Sequence, residues 1–462
     1  MSDSPTRRDV LITAVATCAV PMLGCASTPA GPSTLPPIVF VPGNGGNAAL
    51  WTTTLWRFES NGWPRDRLHA MDIPYPLARD DDTREQPGRS STAQHTAGLA
   101  AAVKSVLAAT GASKVALVGN SRGGYAIRDF IANKGGAAVV SHVVLSGVPN
   151  HGVFANPKSS LGNEFNGAGP FLTALNSPPG AEDGEVQPGI AWMTIRSDNN
   201  DKYAQPDGVW IGARGTPTNV TFDGPALKGA ENVVLPGIDH HETAFSAKAF
   251  EHMFGFIAGR APTTLAIVPE PRVVLDGIVS GLGLDNRQGN FASNLPLVGA
   301  TIEVFATRPA TGQRAGAAVH AKTIGGDGRW GPFAADAAAT YEFVVSAPGY
   351  ATTHIYRSPF PRSSSIVSLR PERLADADRS AQSLVVFSRP RGYFGVPRDR
   401  IALDGTSPPA GIPSGVAGVS STRLKIADDG PRPIVGEFNG ERIVGRTWPV
   451  ADNHVVVVEL TS

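Results

Sequence analysis

Lys114-Val115-Ala116-Leu117-Val118-Gly119-Asn120-Ser121-Arg122-Gly123-Gly124 runs from an apolar series straight into Gly-x-Ser-x-Gly. Residues 115–118 carry no polar side chain, as expected of a strand buried on both faces, and 124–133, with Tyr125, Ile127, Arg128 and Ile131, read as a helix. A strand that turns sharply into a helix lifts its connecting residue clear of the sheet. Here that residue is Ser121. A serine hydroxyl is a poor nucleophile until a base takes its proton, so such a turn is useful only if a base can reach it. Gly119 and Gly123 keep the turn free of clashing Cβ atoms.

The same alternation extends in both directions. Segments 37–41, 68–73, 114–118, 141–148, 190–196 and 232–238 read as strands, 92–109 as an amphipathic helix and 245–258 as a closing helix. This predicts an α/β fold with a mostly parallel sheet covered on both faces. Reactive groups in such sheets gather at the carboxyl ends of the strands.

The residues at those ends are chemically coherent. The first strand runs into Pro42-Gly43-Asn44-Gly45-Gly46-Asn47. Attack on an ester makes a tetrahedral oxyanion, best held by two backbone N–H groups fixed in advance. Asn44 offers one and Arg122, next to the serine, the other. No Lys-Ser/Thr follows the glycines, as a phosphate-cradling loop requires. An orienting acid and a base are expected after the serine, in that order. The strand 190–196 opens into Ser197-Asp198-Asn199-Asn200-Asp201-Lys202-Tyr203-Ala204-Gln205-Pro206, where Asp201 is preferred and Asp198 is the alternative, with turn capping as its other role. The base is expected from Gly237-Ile238-Asp239-His240-His241-Glu242-Thr243. A neutral imidazole can take the serine proton and return it to the leaving alcohol. His240, first after the Gly-x-Asp, is preferred over His241. Consecutive side chains such as Asp239 to Glu242 do not readily converge on one metal ion. His151 reads as a loop residue near the pocket.

Together with 37–46 (Pro-Ile-Val-Phe-Val-Pro-Gly-Asn-Gly-Gly) and Gly62-Trp63-Pro64-Arg65-Asp66-Arg67-Leu68, these motifs resemble the secreted bacterial lipase/esterase family of the α/β-hydrolases over residues 35–260. Asp201, with Tyr203 two positions on and Pro206 five positions on, matches the Asp-x-x-x-x-Pro turn of such lipases. The resemblance implies Ser121 as nucleophile, Asp201 as orienting acid, His240 as base and Asn44 and Arg122 as oxyanion donors, with no cofactor or metal. Pro42 and Asn120 stand where the family usually has histidine. Arg122 stands where it has an apolar residue or glutamine, and a guanidinium there argues against a purely apolar acyl pocket. The expected activity is carboxylic ester hydrolysis, with short to medium acylglycerols first and a polyhydroxyalkanoate-type polyester second. A non-catalytic surface-binding protein on the same scaffold is the alternative of a different class.

With 462 residues the chain exceeds a single ordinary core, and 40 basic residues balance 40 acidic ones. That balance points away from nucleic acid and from a polybasic membrane patch. Residues 1–30 are expected to be an export signal: Thr6-Arg7-Arg8-Asp9-Val10-Leu11 resembles a twin-arginine signature, and Leu23-Gly24-Cys25 an imperfect lipoprotein box. The expected destination is periplasmic, anchored at the outer membrane, or extracellular. Cys18 and Cys25 both lie in this segment. Residues 150–189 read as a cap or lid and 261–271, with three prolines, as a linker. Short strands follow at 273–279, 300–306, 340–346, 352–356, 364–369 and 455–460. Residues 272–372 resemble a transthyretin or carboxypeptidase-regulatory β-sandwich, with a second β unit over 373–462 joined to the first or separate. The lid and this β region are the candidate surfaces for lipid contact.

Overall fold

The computed structural model describes Met1 and residues 35–198, 200–205, 219–282, 285–286, 289–290, 293–428 and 430–462. The expected export signal beyond Met1, and Pro206 of the aspartate turn, lie outside the described residues.

The N-terminal half is an α/β layer structure. Strands β1 (Ile38–Val41), β2 (Leu68–Ala70), β3 (Val115–Asn120), β4 (Val140–Ser146), β5 (Ala191–Ser197) and β6 (Glu231–Leu235) form one sheet in the order β2-β1-β3-β4-β5-β6, every pair parallel. Along β1, Ile38 and Phe40 enter one core with Trp51, Phe58, Phe250 and Phe254, while Val39 and Val41 enter another with Leu99, Val103 and Ile127. The apolar runs are continuous because helices cover both faces. The first face carries α1 (Thr52–Ser60), α5 (Glu242–Phe245) and α6 (Ala247–Ala258); the second carries α2 (Thr92–Thr110) and α3 (Arg122–Asn133). A capping box between Ser91 and Gln94 starts α2, and Gly111 in the left-handed conformation stops it. The closing helix expected over 245–258 is α6, which begins two residues later because Ser246 leaves the helical conformation to cap it through Ala249 N. Between β4 and β5, α4 (Pro170–Leu175) and the loop before it pack Val153, Phe165, Leu172 and Leu175 on Tyr125 and Ala78.

The C-terminal half is all β. Its strands are β7 (Val273–Leu275), β8 (Asp285–Asn286), β9 (Gly289–Asn290), β10 (Thr301–Thr307), β11 (His320–Thr323), β12 (Phe333–Ala335), β13 (Thr340–Ser346), β14 (Thr352–Arg357), β15 (Ser383–Ser388), β16 (Ile401–Leu403), β17 (Ser421–Ile426), β18 (Pro433–Phe438), β19 (Glu441–Arg446) and β20 (His454–Glu459). Seven of them form a sheet in the order β11-β10-β13-β14-β20-β15-β17, in which β20 runs parallel to both its neighbours. One sheet therefore spans both expected β segments. Val455 and Val457 of β20 face the core containing Phe343 and Ile355, and Val456 and Val458 face the core containing Phe387 and Ile443. Residues 364–369 do not form the expected strand. Ser364 and Leu369 make isolated parallel bridges to Leu275 and Val279, with Asp276 N donating to Ser364 O at 2.8 Å and Ser280 N to Leu369 O at 3.0 Å, and between them the pairing is too interrupted to make a strand.

The segment 261–271 lies along α1: Asn61 Oδ1 accepts from Thr263 N at 2.7 Å. Trp56 Nε1 donates to Ser363 O at 2.8 Å, and Arg362 Nε meets Glu59 at 2.9 Å, so one face of α1 belongs to the β body.

Candidate active site

Ser121 stands between β3 and α3 with φ 51° and ψ −124°, a region that costs a non-glycine residue free energy and persists only where the surroundings impose it. The imposition comes from close packing. A Cβ at Gly123 would lie 2.6 Å from Val41 O, and one at Gly119 would lie 2.6 Å from Ile127 Cδ1. Only glycine permits α3 to approach β1 and β3 so closely.

His240 lies in the loop between β6 and α5, and Asp201 in the turn after β5. His240 Nδ1 meets Asp201 Oδ2 at 2.6 Å, both residues being buried. The other oxygen, Asp201 Oδ1, accepts from Tyr203 N at 2.8 Å, so the turn fixes the carboxylate before the carboxylate fixes the ring. Tyr203 packs edge-on against His240 with centroids 4.6 Å apart. With Nδ1 donating to the carboxylate, Nε2 is the acceptor of the neutral ring. It is buried and has no hydrogen-bond partner among the described residues. Ser121, His240, Asp201 and Asn44 line one pocket together with Gly147, Pro149, Val153, Phe165, Tyr203, Val220 and His241.

The rival residues have other duties. Asp198 accepts from Asn200 N and Gly237 N, each at 3.0 Å; these bonds outweigh its burial and hold the carboxyl below the usual range. It caps the turn. His241 stacks on Tyr393 at 4.6 Å, and burial, with His240 beside it, lowers its imidazole to about 3. It is neutral where a base would work. Asp239 and Glu242 face Arg389 and Arg398. His151 pairs with Glu185 at 3.0 Å in the segment between β4 and β5.

Asn44 is held by its own side chain, whose Oδ1 accepts from Ala78 N at 2.7 Å, while Gly45 N donates to Pro76 O at 3.0 Å. The Arg122 guanidinium corrects the sequence expectation. It turns away from the pocket to Glu164 Oε1 at 2.5 Å, Ser90 Oγ at 2.9 Å and Ser90 O at 2.7 Å, and is wholly buried. Pro149, Val153, Phe165 and Val220 form an apolar part of the pocket lining, clear of the guanidinium. Glu164, Arg389 and Tyr393 carry no mark in the sequence pattern, and Tyr203 enters it only through the aspartate turn. The crowded Ser388-Arg389-Pro390-Arg391-Gly392-Tyr393 stretch is the local signal that could have marked Arg389 and Tyr393.

Residues 272–374 match the lipase C-terminal domain. The match covers β7 to β14 and stops before β15, so it takes in one side of the seven-stranded sheet. No curated protein matches the chain significantly. Among solved structures, the mature lipase BlEst2 of Bacillus licheniformis is 19% identical, with 49% of this chain and 94% of that one covered and a TM-score of 0.35. Lipase B of Aspergillus fumigatus is 17% identical, with 52% and 56% covered and a TM-score of 0.36. The lin2722 gene product of Listeria innocua is 17% identical, with 48% and 94% covered and a TM-score of 0.33. Beside the lipase C-terminal domain match, the chemistry rests on the site's own geometry.

Proposed function

We propose that the protein is a serine carboxylic ester hydrolase of the lipase/esterase type. The observation that carries this reading is the His240–Asp201 bond, which leaves in the pocket that Ser121 lines a buried Nε2 with no hydrogen-bond partner among the described residues. Ser121 Oγ attacks the ester carbonyl while His240 Nε2 takes its proton. The N–H groups of Asn44 and Arg122 face the oxyanion, and Asp201 stabilises the imidazolium without itself being protonated. His240 returns the proton to the leaving alcohol, and water then releases the acyl group by the same route. Pro149, Val153, Phe165 and Val220 give the acyl chain an apolar wall, which suits short to medium acyl esters. Export through the Arg7-Arg8 signature would deliver the enzyme beyond the inner membrane already folded.

The test compares wild type with Ser121→Ala on p-nitrophenyl esters of graded acyl length, both also treated with a fluorophosphonate probe. The expected result is hydrolysis and labelling by wild type and loss of both in the variant, by at least about 10⁴-fold in kcat. Equal rates for the two proteins overturn the reading.

A further inference from the structure

The segment between β15 and β16 reaches out of the β body onto the loop that carries His240. Arg389, almost wholly buried, places Nη1 2.7 Å from Asp239 Oδ2 and Nη2 2.6 Å from Glu242 Oε1. Arg398 Nη1 lies 2.9 Å from Glu242 Oε2, and Tyr393 N donates to Asp239 Oδ2 at 2.8 Å. Further contacts close around the same spot: the Tyr393 ring stacks on His241, and Lys202, next to Asp201, sits 3.9 Å from that ring's centroid.

The two carboxylates are double-sided. Asp239 Oδ1 accepts from His241 N at 2.8 Å and from Glu242 N at 2.9 Å, and Glu242 Oε2 accepts from Asp239 N at 2.6 Å. The backbone on both sides of His240 is thus held by two acids that would repel each other if left alone in a buried site. The guanidiniums make their coexistence as anions possible. A second junction between the halves of the molecule, Trp56 with Ser363 and Glu59 with Arg362, lies on α1 and touches none of the reactive loop.

We propose that Arg389, supported by Tyr393 and Arg398, is a positioning residue through which the β body sets the His240 ring against Asp201 and Ser121. This rests on the reading of His240 as the base. It gives the β body a part in the chemistry that is separate from any contact with lipid. Since the α1 junction persists without Arg389, losing the clamp should loosen the histidine loop and leave the two halves attached.

The test uses the full chain and the variants Arg389→Met, Arg389→Lys and, at the other junction, Arg362→Met. Two readouts are taken: kcat and KM on p-nitrophenyl butyrate, and the far-downfield proton resonance of the His240–Asp201 bond, assigned by its loss in His240→Gln. For Arg389→Met the expected result is a fall in kcat of about 100-fold with little change in KM, since small misplacements of a catalytic group cost that much, together with loss of the resonance. Arg389→Lys should recover part of both, and Arg362→Met should keep both. Wild-type kcat and an intact resonance in Arg389→Met overturn the proposal, as does an equal fall in kcat in Arg362→Met. If Arg389→Met does not fold, Arg389→Lys decides by the same readouts. If wild type hydrolyses no ester, the esterase reading fails, and the resonance alone decides whether Arg389 holds the loop.

Discussion

Between β4 and β5, one buried carboxylate, Glu164, meets one buried guanidinium, Arg122, at the start of the helix behind the serine; in the β body, two guanidiniums reach across to two carboxylates on the loop that carries the histidine. Both junctions are ionic, mostly buried and one or two residues from a reactive group. They differ in what they grip. The first turn of α3 is already fixed by its own backbone hydrogen bonds and by the close approach of β1. There the ion pair can only anchor the segment that carries Glu164. The N–H groups at 239, 241 and 242 are bonded by the side chains of Asp239 and Glu242, so there the ions that hold those carboxylates bear on the shape of the loop. The same interaction type thus supports stability on one side of the pocket and geometry on the other.

The largest effect should come from the residue that both arrangements serve. Asp201→Asn is expected to lower kcat by about 10⁴-fold through the wrong imidazole tautomer, with the protein still folded, whereas Asp198→Asn should act on stability alone. Comparable losses of kcat in both variants would break the division between the two aspartates. Next comes the Glu164–Arg122 pair. Glu164→Gln leaves Arg122 as an uncompensated buried charge and should destabilise the fold by about 3 kcal/mol, read as a lower urea midpoint, with kcat on a short ester retained. A loss of kcat without loss of stability would mean that this pair, too, shapes the chemistry.

The smallest effect concerns His241. Its folded pKa of about 3 lies below the ordinary 6.5, so between these values the unfolded chain binds a proton that the folded one refuses. Stability is therefore full above that window and falls as the pH drops through it. His241→Gln should flatten the decline in urea midpoint between about pH 7 and about pH 5. An unchanged slope would remove His241 from the acid response.

The parts of the molecule legible in its sequence are those governed by local pattern. The strand, turn and helix around Ser121 follow from an apolar run and two glycines, and Thr92–Thr110 from its periodicity. Helix α1 was not read, since Thr52-Thr53-Thr54 is a poor helix start; burial of Trp56 and Phe58 in two different cores sustains it. Residues 364–369 have a strand's composition, and they do bond to 274–280, but only through isolated bridges that the local sequence does not reveal. The order of acid and base could be anticipated from the serine. The orientation of the Arg122 side chain could not, because its partner Glu164 is 42 residues away. Arg389 is farther still, 150 residues from Asp239, and only the fold brings the two together.

Strand β20 is the last strand in the chain and sits between β14 and β15 in the middle of its sheet. During synthesis, β14 and β15 are therefore made long before the strand that separates them. Until residues 454–459 have emerged, both expose edges that are open to the wrong partner. Closing the sheet is a late, long-range event of the slow kind. If the β15–β16 segment is placed only when that sheet closes, the histidine loop is completed last, and a growing chain has its serine and aspartate turns in place before the loop beside them is set.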